Sequence, residues 1–183
     1  DLLSWGAITG GFCRDSKGIY WRTTKFNGLG LTRFRDADIY PEGGAGKKQP
    51  FNVLFKDVII KTSYLDEENG YYYMFVQKAS GVKPGVYRIA LSKLQNADGS
   101  DVEGNADLTI ADCQLIDDSP VFMDGAEDSG EICNIAQING DGTNIYWSYI
   151  AAPSDDKAIK GSVALDANNP LHKSGIKTIK SAD

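Results

Sequence analysis

Residues 69–93, NGYYYMFVQKASGVKPGVYRIALSK, constrain the fold more than any other stretch, because they read as a β-hairpin that the chain uses again elsewhere. Asn69-Gly70 is a turn signal, and Tyr71 to Gln77 is a run of aromatic and β-favouring residues suited to a pleated strand. Gly81, Pro84 and Gly85 supply a loop. Val86 to Leu91 then resumes as a second strand, with Tyr87, Ile89 and Leu91 on one face and Arg88, Ala90 and Ser92 on the other. That alternation predicts one wet face.

Sliding the chain along itself lays Tyr72 on Tyr146, Tyr73 on Trp147, Phe75 on Tyr149, Val76 on Ile150 and Leu91 on Leu165 without a gap. A second slide sets Tyr20 on Tyr72 and Trp21 on Tyr73, with a shorter loop before the return strand. Three unevenly spaced aromatic hairpins result. They are either a structural repeat or the resemblance that two-residue periodicity gives to all hairpins of a β-rich chain.

The remaining segments fit the same class. Residues 1–13 alternate weakly around Gly10-Gly11 and read as a strand with a bulge. Residues 36–50, DADIYPEGGAGKKQP, form a Gly/Pro-rich loop and the best boundary between subparts of an otherwise single β-rich domain spanning 1–183. Residues 51–65 predict one or two strands, because Val, Ile and Thr crowd their second half. A short helical turn is expected near residue 93, a strand over Leu108–Ile116, another over Ile132–Ile138, and a Lys-rich terminal strand at IKTIK. With 20 glycines, 9 tyrosines and no long amphipathic helical run, the chain is read as all-β. The architecture expected is an antiparallel β-sandwich, jelly-roll-like, built from aromatic hairpins, with a blade-like β-propeller fragment as the alternative.

A net charge of −6 opposes phosphate backbones and anionic membranes, so nucleic acid is not an expected partner. The basic cluster Arg14, Lys17, Arg22, Lys25, Arg33 and Arg35 is broken by acids and reads as a solvated sheet face. No apolar run approaches the roughly 20 residues of a membrane span, so no membrane insertion is expected. A start at Asp1 without initiator Met or signal-peptide features is read as the mature form of a secreted, extracellular protein. Cys113 and Cys133 flank an acidic loop and are paired as a disulfide, which would contribute roughly 3 kcal/mol; Cys13 is left buried or paired between chains. A zinc site has no C-x-x-C spacing to build on.

Calcium is the candidate ion. The loop from Asn96 to Asp107 alternates oxygen-bearing side chains, with Asp98, Asp101 and Asp107 as candidate ligands, although Asp101 stands where a calcium loop wants Gly. Asp124, Glu127, Asp128 and Glu131 form a second acidic cluster. The alternative is that these residues simply make turns. With 25 acids, no catalytic carboxylate pair can be singled out. His172, the single histidine, reads as a surface residue, and Gly43–Lys48 lacks the spacing of a phosphate loop. Trp21, Tyr73 and Trp147 occupy matching hairpin positions and a common strand face; exposed, they would stack on sugar rings or a partner, and buried they would be core.

Asp117-Asp118-Ser-Pro120-Val-Phe122-Met-Asp124-Gly125, followed by a Tyr-Trp strand, resembles the start of a blade in five-bladed β-propeller glycosidases, and YYYMFVQ with GVYRIALSK looks like the inner hairpin of such a blade. The resemblance covers about half the chain and transfers no catalytic residue. It implies that a closed propeller would need an oligomer or further chain. The function expected is a secreted structural or adhesive subunit that binds other copies of itself or an extracellular glycan through sheet edges and aromatic faces. A glycan-active enzyme of the propeller type and a monomeric carbohydrate-binding module are the alternatives, and catalysis is not the expectation.

Overall fold

The computed structural model describes residues 8–24, 30–35, 52–77, 81–118, 134–151, 156 and 163–181. Their strands are β1 (Ile8–Arg14), β2 (Tyr20–Thr24), β3 (Leu31–Phe34), β4 (Val53–Leu54), β5 (Ile59–Asp66), β6 (Tyr71–Gln77), β7 (Gly85–Ala90), β8 (Gln114–Asp117), β9 (Asn134–Gly140), β10 (Asn144–Ala151) and β11 (Lys173–Lys180). Three antiparallel sheets result, ordered β1-β2-β3-β4, β5-β6-β7-β8 and β9-β10-β11. The chain is all-β, as expected. Every sheet neighbour is also a sequence neighbour, so each sheet is a meander, and the crossovers of a jelly roll are absent among the described strands. The proposed subpart boundary at 36–50 lies outside the described residues.

Each aromatic strand found in the sequence is an inner strand of its own sheet: β2, β6 and β10. The middle sheet is covered on both faces at its inner strand β6. Its alternation sends Tyr72, Met74 and Val76 into one apolar cluster with Trp21, Leu31 and Leu54 of the first sheet. Tyr73 and Phe75 point the other way, into a second cluster with Ile138, Ile145 and Trp147 of the third sheet. Burying each such side chain is worth roughly 1.5–3 kcal/mol. On β7 the expected wet face is corrected at Arg88, which is buried together with Val86 on the side facing the third sheet, whereas Ala90 is half-buried and Ser92, just past the strand, is exposed.

The first strands of the sheets lie side by side, β1 against β5 and β5 against β9. Glycine permits the approach. A Cβ on Gly11 would collide with the Ser63 hydroxyl of β5, and one on Gly140 of β9 would collide with the Tyr64 ring of β5. The β1 bulge predicted at Gly10-Gly11 appears as a register shift between Ile8 and Phe12. The 51–65 segment forms two strands, β4 and β5. The strand expected over Leu108–Ile116 is replaced by 3-10 turns at Asn105–Asp107 and Ile110–Asp112, the second closed by a capping box between Thr109 and Asp112, and β8 begins only at Gln114.

Candidate functional site

The aromatic trio singled out in the sequence is core. Trp21, Tyr73 and Trp147 are each no more than 1% exposed, which leaves no ring face for a sugar. Nor do they share an environment. Trp21 stacks on Tyr72 at 5.3 Å between ring centroids, lies 4.5 Å beneath the Arg33 guanidinium and donates its Nε1–H to Asp15 Oδ2 at 2.9 Å. Tyr73 and Trp147 belong to the opposite seam. Matching Trp21 to Tyr73 aligned composition but not facing.

The acidic loop is turned inward upon a cation. Asp101 forms an ion pair with Arg33 and accepts from Asn105 Nδ2 at 3.0 Å. Arg33 also donates to Leu94 O at 3.1 Å, to Gly99 O at 3.1 Å and to Gln95 Oε1, which fastens residues 94–105 onto the first sheet. Asp98 accepts from the Ser100 hydroxyl and from its backbone N–H at 2.9 Å; those two bonds hold its carboxyl below the usual range. Asp107 is exposed at the end of a 3-10 turn. Among the described residues no three His, Cys, Asp or Glu side chains gather as a metal site, so the calcium reading of Asp98, Asp101 and Asp107 gives way to turn formation. The second acidic cluster lies outside the described residues.

Cys113 is a free thiol among the described residues, and Cys133, its expected disulfide partner, lies outside them. Cys113 packs against the first seam, and burial, reinforced by Asp112, pushes its pKa up to about 12. Cys13 is also free, and burial, with Asp15 and Glu67 nearby, raises it to about 11. His172 is not a surface residue. Its ring is 5% exposed, accepts at Nδ1 from the Asp166 N–H at 2.8 Å and meets Asp156 Oδ2 through Nε2 at 2.7 Å, so Nε2 carries the proton. The ring therefore fastens the connection leading into β11.

The outer face of the first sheet is what the sequence reading missed. Phe12, Tyr20 and Phe34 form a ladder across β1, β2 and β3, with ring centroids 5.6 and 5.4 Å apart and near-parallel planes. Arg14 caps the Tyr20 ring at 5.6 Å. The ladder runs from a buried Phe34 to a Phe12 that is 55% exposed. Arg22 and Arg33 are buried, which corrects the solvated-face reading for those two, whereas Arg14, Lys17 and Arg35 are exposed as predicted and Lys25 lies outside the described residues. The outer face of the third sheet presents Ile176, 75% exposed, in register with Ser148. Tyr20 was legible as a face residue, because strand alternation must turn it away from Trp21. Among the described residues no helix is long and apolar enough to cross a membrane. Comparison with protein-family models, with curated proteins and with solved structures finds no match for this chain.

Proposed function

We propose that the chain is an extracellular structural subunit that associates with further copies of itself, sheet face against sheet face. One observation carries this reading: the central strand β6 of the middle sheet is covered on both faces, whereas the sheets on either side expose a large apolar side chain outward, Phe12 (55%) on one and Ile176 (75%) on the other, both more than Leu115 (38%) on the middle sheet's edge strand β8. Contact between two different faces is heterologous, and it closes into a ring or propagates as a filament according to the rotation between copies. Aromatic and arginine side chains such as Phe12, Tyr20 and Arg14 are the types that dominate protein interfaces. The rings of the ladder cover one another, which favours a protein partner over a sugar platform. The extracellular setting remains part of the proposal.

Light scattering over a concentration series tests it, combined with electron microscopy for filaments. The molar mass of the unaltered protein should rise with concentration, and Phe12→Ser or Ile176→Ser should hold it at the monomer value. A monomer at every concentration contradicts the proposal. A second reading, a glycan-active protein of the propeller type, is favoured by the side-by-side first strands β1, β5 and β9 of three meanders, a blade-like arrangement. Hydrolysis of a glycoside panel, abolished by one acid substitution, would decide for it.

A further inference from the structure

The last strand of the third sheet, β11, leaves one edge open. It runs eight residues against β10 without a register shift, from Lys173 opposite Ala151 to Lys180 opposite Asn144. The Ser181 N–H continues that ladder by donating to Thr143 O at 2.9 Å. Backbone groups of successive strand residues point to alternate sides, so Lys173, Gly175, Lys177 and Ile179 turn their N–H and C=O groups towards β10, as Ser181 does. Ser174, Ile176, Thr178 and Lys180 turn theirs outward. Among the described residues no strand lies beyond β11 to meet them, and none of the eight is buried, whereas residues 72–76 of the inner strand β6 all are. The first and middle sheets each have four strands where this one has three. A row of unpaired backbone donors and acceptors of this length is a template for one more strand.

Charge states which strand. β11 reads KSGIKTIK, with three lysines and no acid. Lys177 Nζ already holds Asp117, at the end of β8, at 2.8 Å. Lys173 and Lys180, at the two ends of β11, are exposed and form no ion pair among the described residues. A second copy of the same edge, laid antiparallel, would set Lys173 against Lys180 at both ends, and like charges directly opposite are destabilising. Lysine on an edge strand keeps identical edges apart in this way. An acidic strand reverses the sign of both contacts. Between the lysines Ile176, 75% exposed, gives an apolar neighbour to a side chain of the added strand. We infer that the open edge of β11 takes an antiparallel strand from an acidic extended peptide segment of a partner, whose main chain bonds to Ser174, Ile176, Thr178 and Lys180 and whose carboxylates meet Lys173 and Lys180. The contact is made by backbone at a sheet edge and does not depend on the face-to-face association proposed above.

The probe is a synthetic peptide as long as β11, with a pair of glutamates at each end of an alternating valine and threonine core, set beside a control that carries lysine for glutamate. Calorimetry reads binding, and hydrogen exchange reads the β11 amides. In the dilute protein alone the amides of Ser174, Ile176, Thr178 and Lys180 should exchange faster than those between them. The glutamate peptide should slow these outward amides, and the lysine peptide should leave them unchanged. Thr178→Pro removes an outward N–H without removing a bond to β10, and should weaken binding about tenfold or more. Lys173→Glu combined with Lys180→Glu should exchange the preference and admit the lysine peptide, a gain that misfolding cannot produce. Overturning results are outward amides already protected in the dilute protein alone, equal binding of both peptides or of neither, uniform slowing along β11, binding indifferent to Thr178→Pro, or a charge-reversed variant that still selects the glutamate peptide.

Discussion

The two seams that clasp the middle sheet bury opposite sides of the same strand, β6, and hold it by different means. The first seam is wide and apolar. Trp21, Leu31, Leu54, Tyr72, Met74, Val76 and Tyr87 fill it, and its one large polar element, the Arg33 cage, sits over the Trp21 ring at its margin. The second seam has a smaller apolar cluster and a buried polar clasp. Tyr73 OH donates to Ser181 O at 3.0 Å, Arg88 Nη1 donates to the same carbonyl at 3.1 Å, and the Ser181 hydroxyl donates to Asp66. Asn69 ties Asp66 to Gly142 O at 2.8 Å. All four of Asp66, Tyr73, Arg88 and Ser181 are buried. Apolar packing accepts any well-fitting neighbour, whereas a clasp with fixed donors and acceptors admits one register. The second seam thus specifies where β11 ends on the middle sheet, and the first contributes more of the burial.

The comparison breaks most visibly at Trp21. Trp21→Ala should cost about 3–5 kcal/mol in chemical denaturation, and more than Trp147→Ala, because it also strips the Asp15 bond and the Arg33 contact. A larger loss at Trp147 would reverse the ranking of the seams. Ser181→Ala should cost about 1–3 kcal/mol by leaving the buried Asp66 carboxylate one donor short. Its signature is local: amides of Lys173–Lys180 exchange faster while those of Tyr20–Thr24 do not change.

Gly140→Ala should cost about 1–3 kcal/mol, because its Cβ meets both the Tyr64 ring and the fully buried Ile145 side chain. Gly11→Ala should cost less, since the Ser63 hydroxyl it meets can rotate aside. Equal costs would mean that β5 is held alike on both sides. The smallest effect is at the β9–β10 turn. Asp141 accepts from the Asn144 N–H at 2.7 Å and the Thr143 N–H at 2.9 Å, which depresses its pKa to about 2. Since the folded value lies below the unfolded one of about 3.9, its stabilisation is present above that pH and disappears as the pH falls through 2. Amide shifts of Thr143 and Asn144 followed through acid titration should show that midpoint. A midpoint near the unfolded value would remove the turn from the account.

Periodicity and turn residues carried the class and most strands, because both are local: the aromatic runs around Tyr20, Tyr72 and Tyr146 are each an inner strand of a sheet, and the Gly10-Gly11 bulge lies where glycines predicted it. Long-range pairing was not legible. Asp101 looked like a calcium ligand until Arg33, distant in sequence, was found beside it, and Arg88 looked solvent-facing until Ser181 closed over it. His172 looked exposed because its partners, Asp156 and Asp166, are set by a loop's path.

Hydrogen exchange in the native state tests the layered arrangement most directly. β2, β6 and β10 are all inner strands, but among the described residues only β6 has a sheet packed on each of its faces. Tyr71–Gln77 should therefore hold the slowest-exchanging amides of the three, with Tyr20–Thr24 and Asn144–Ala151 faster. Protection of β2 or β10 equal to or above that of β6 would contradict the placement of the middle sheet between the other two.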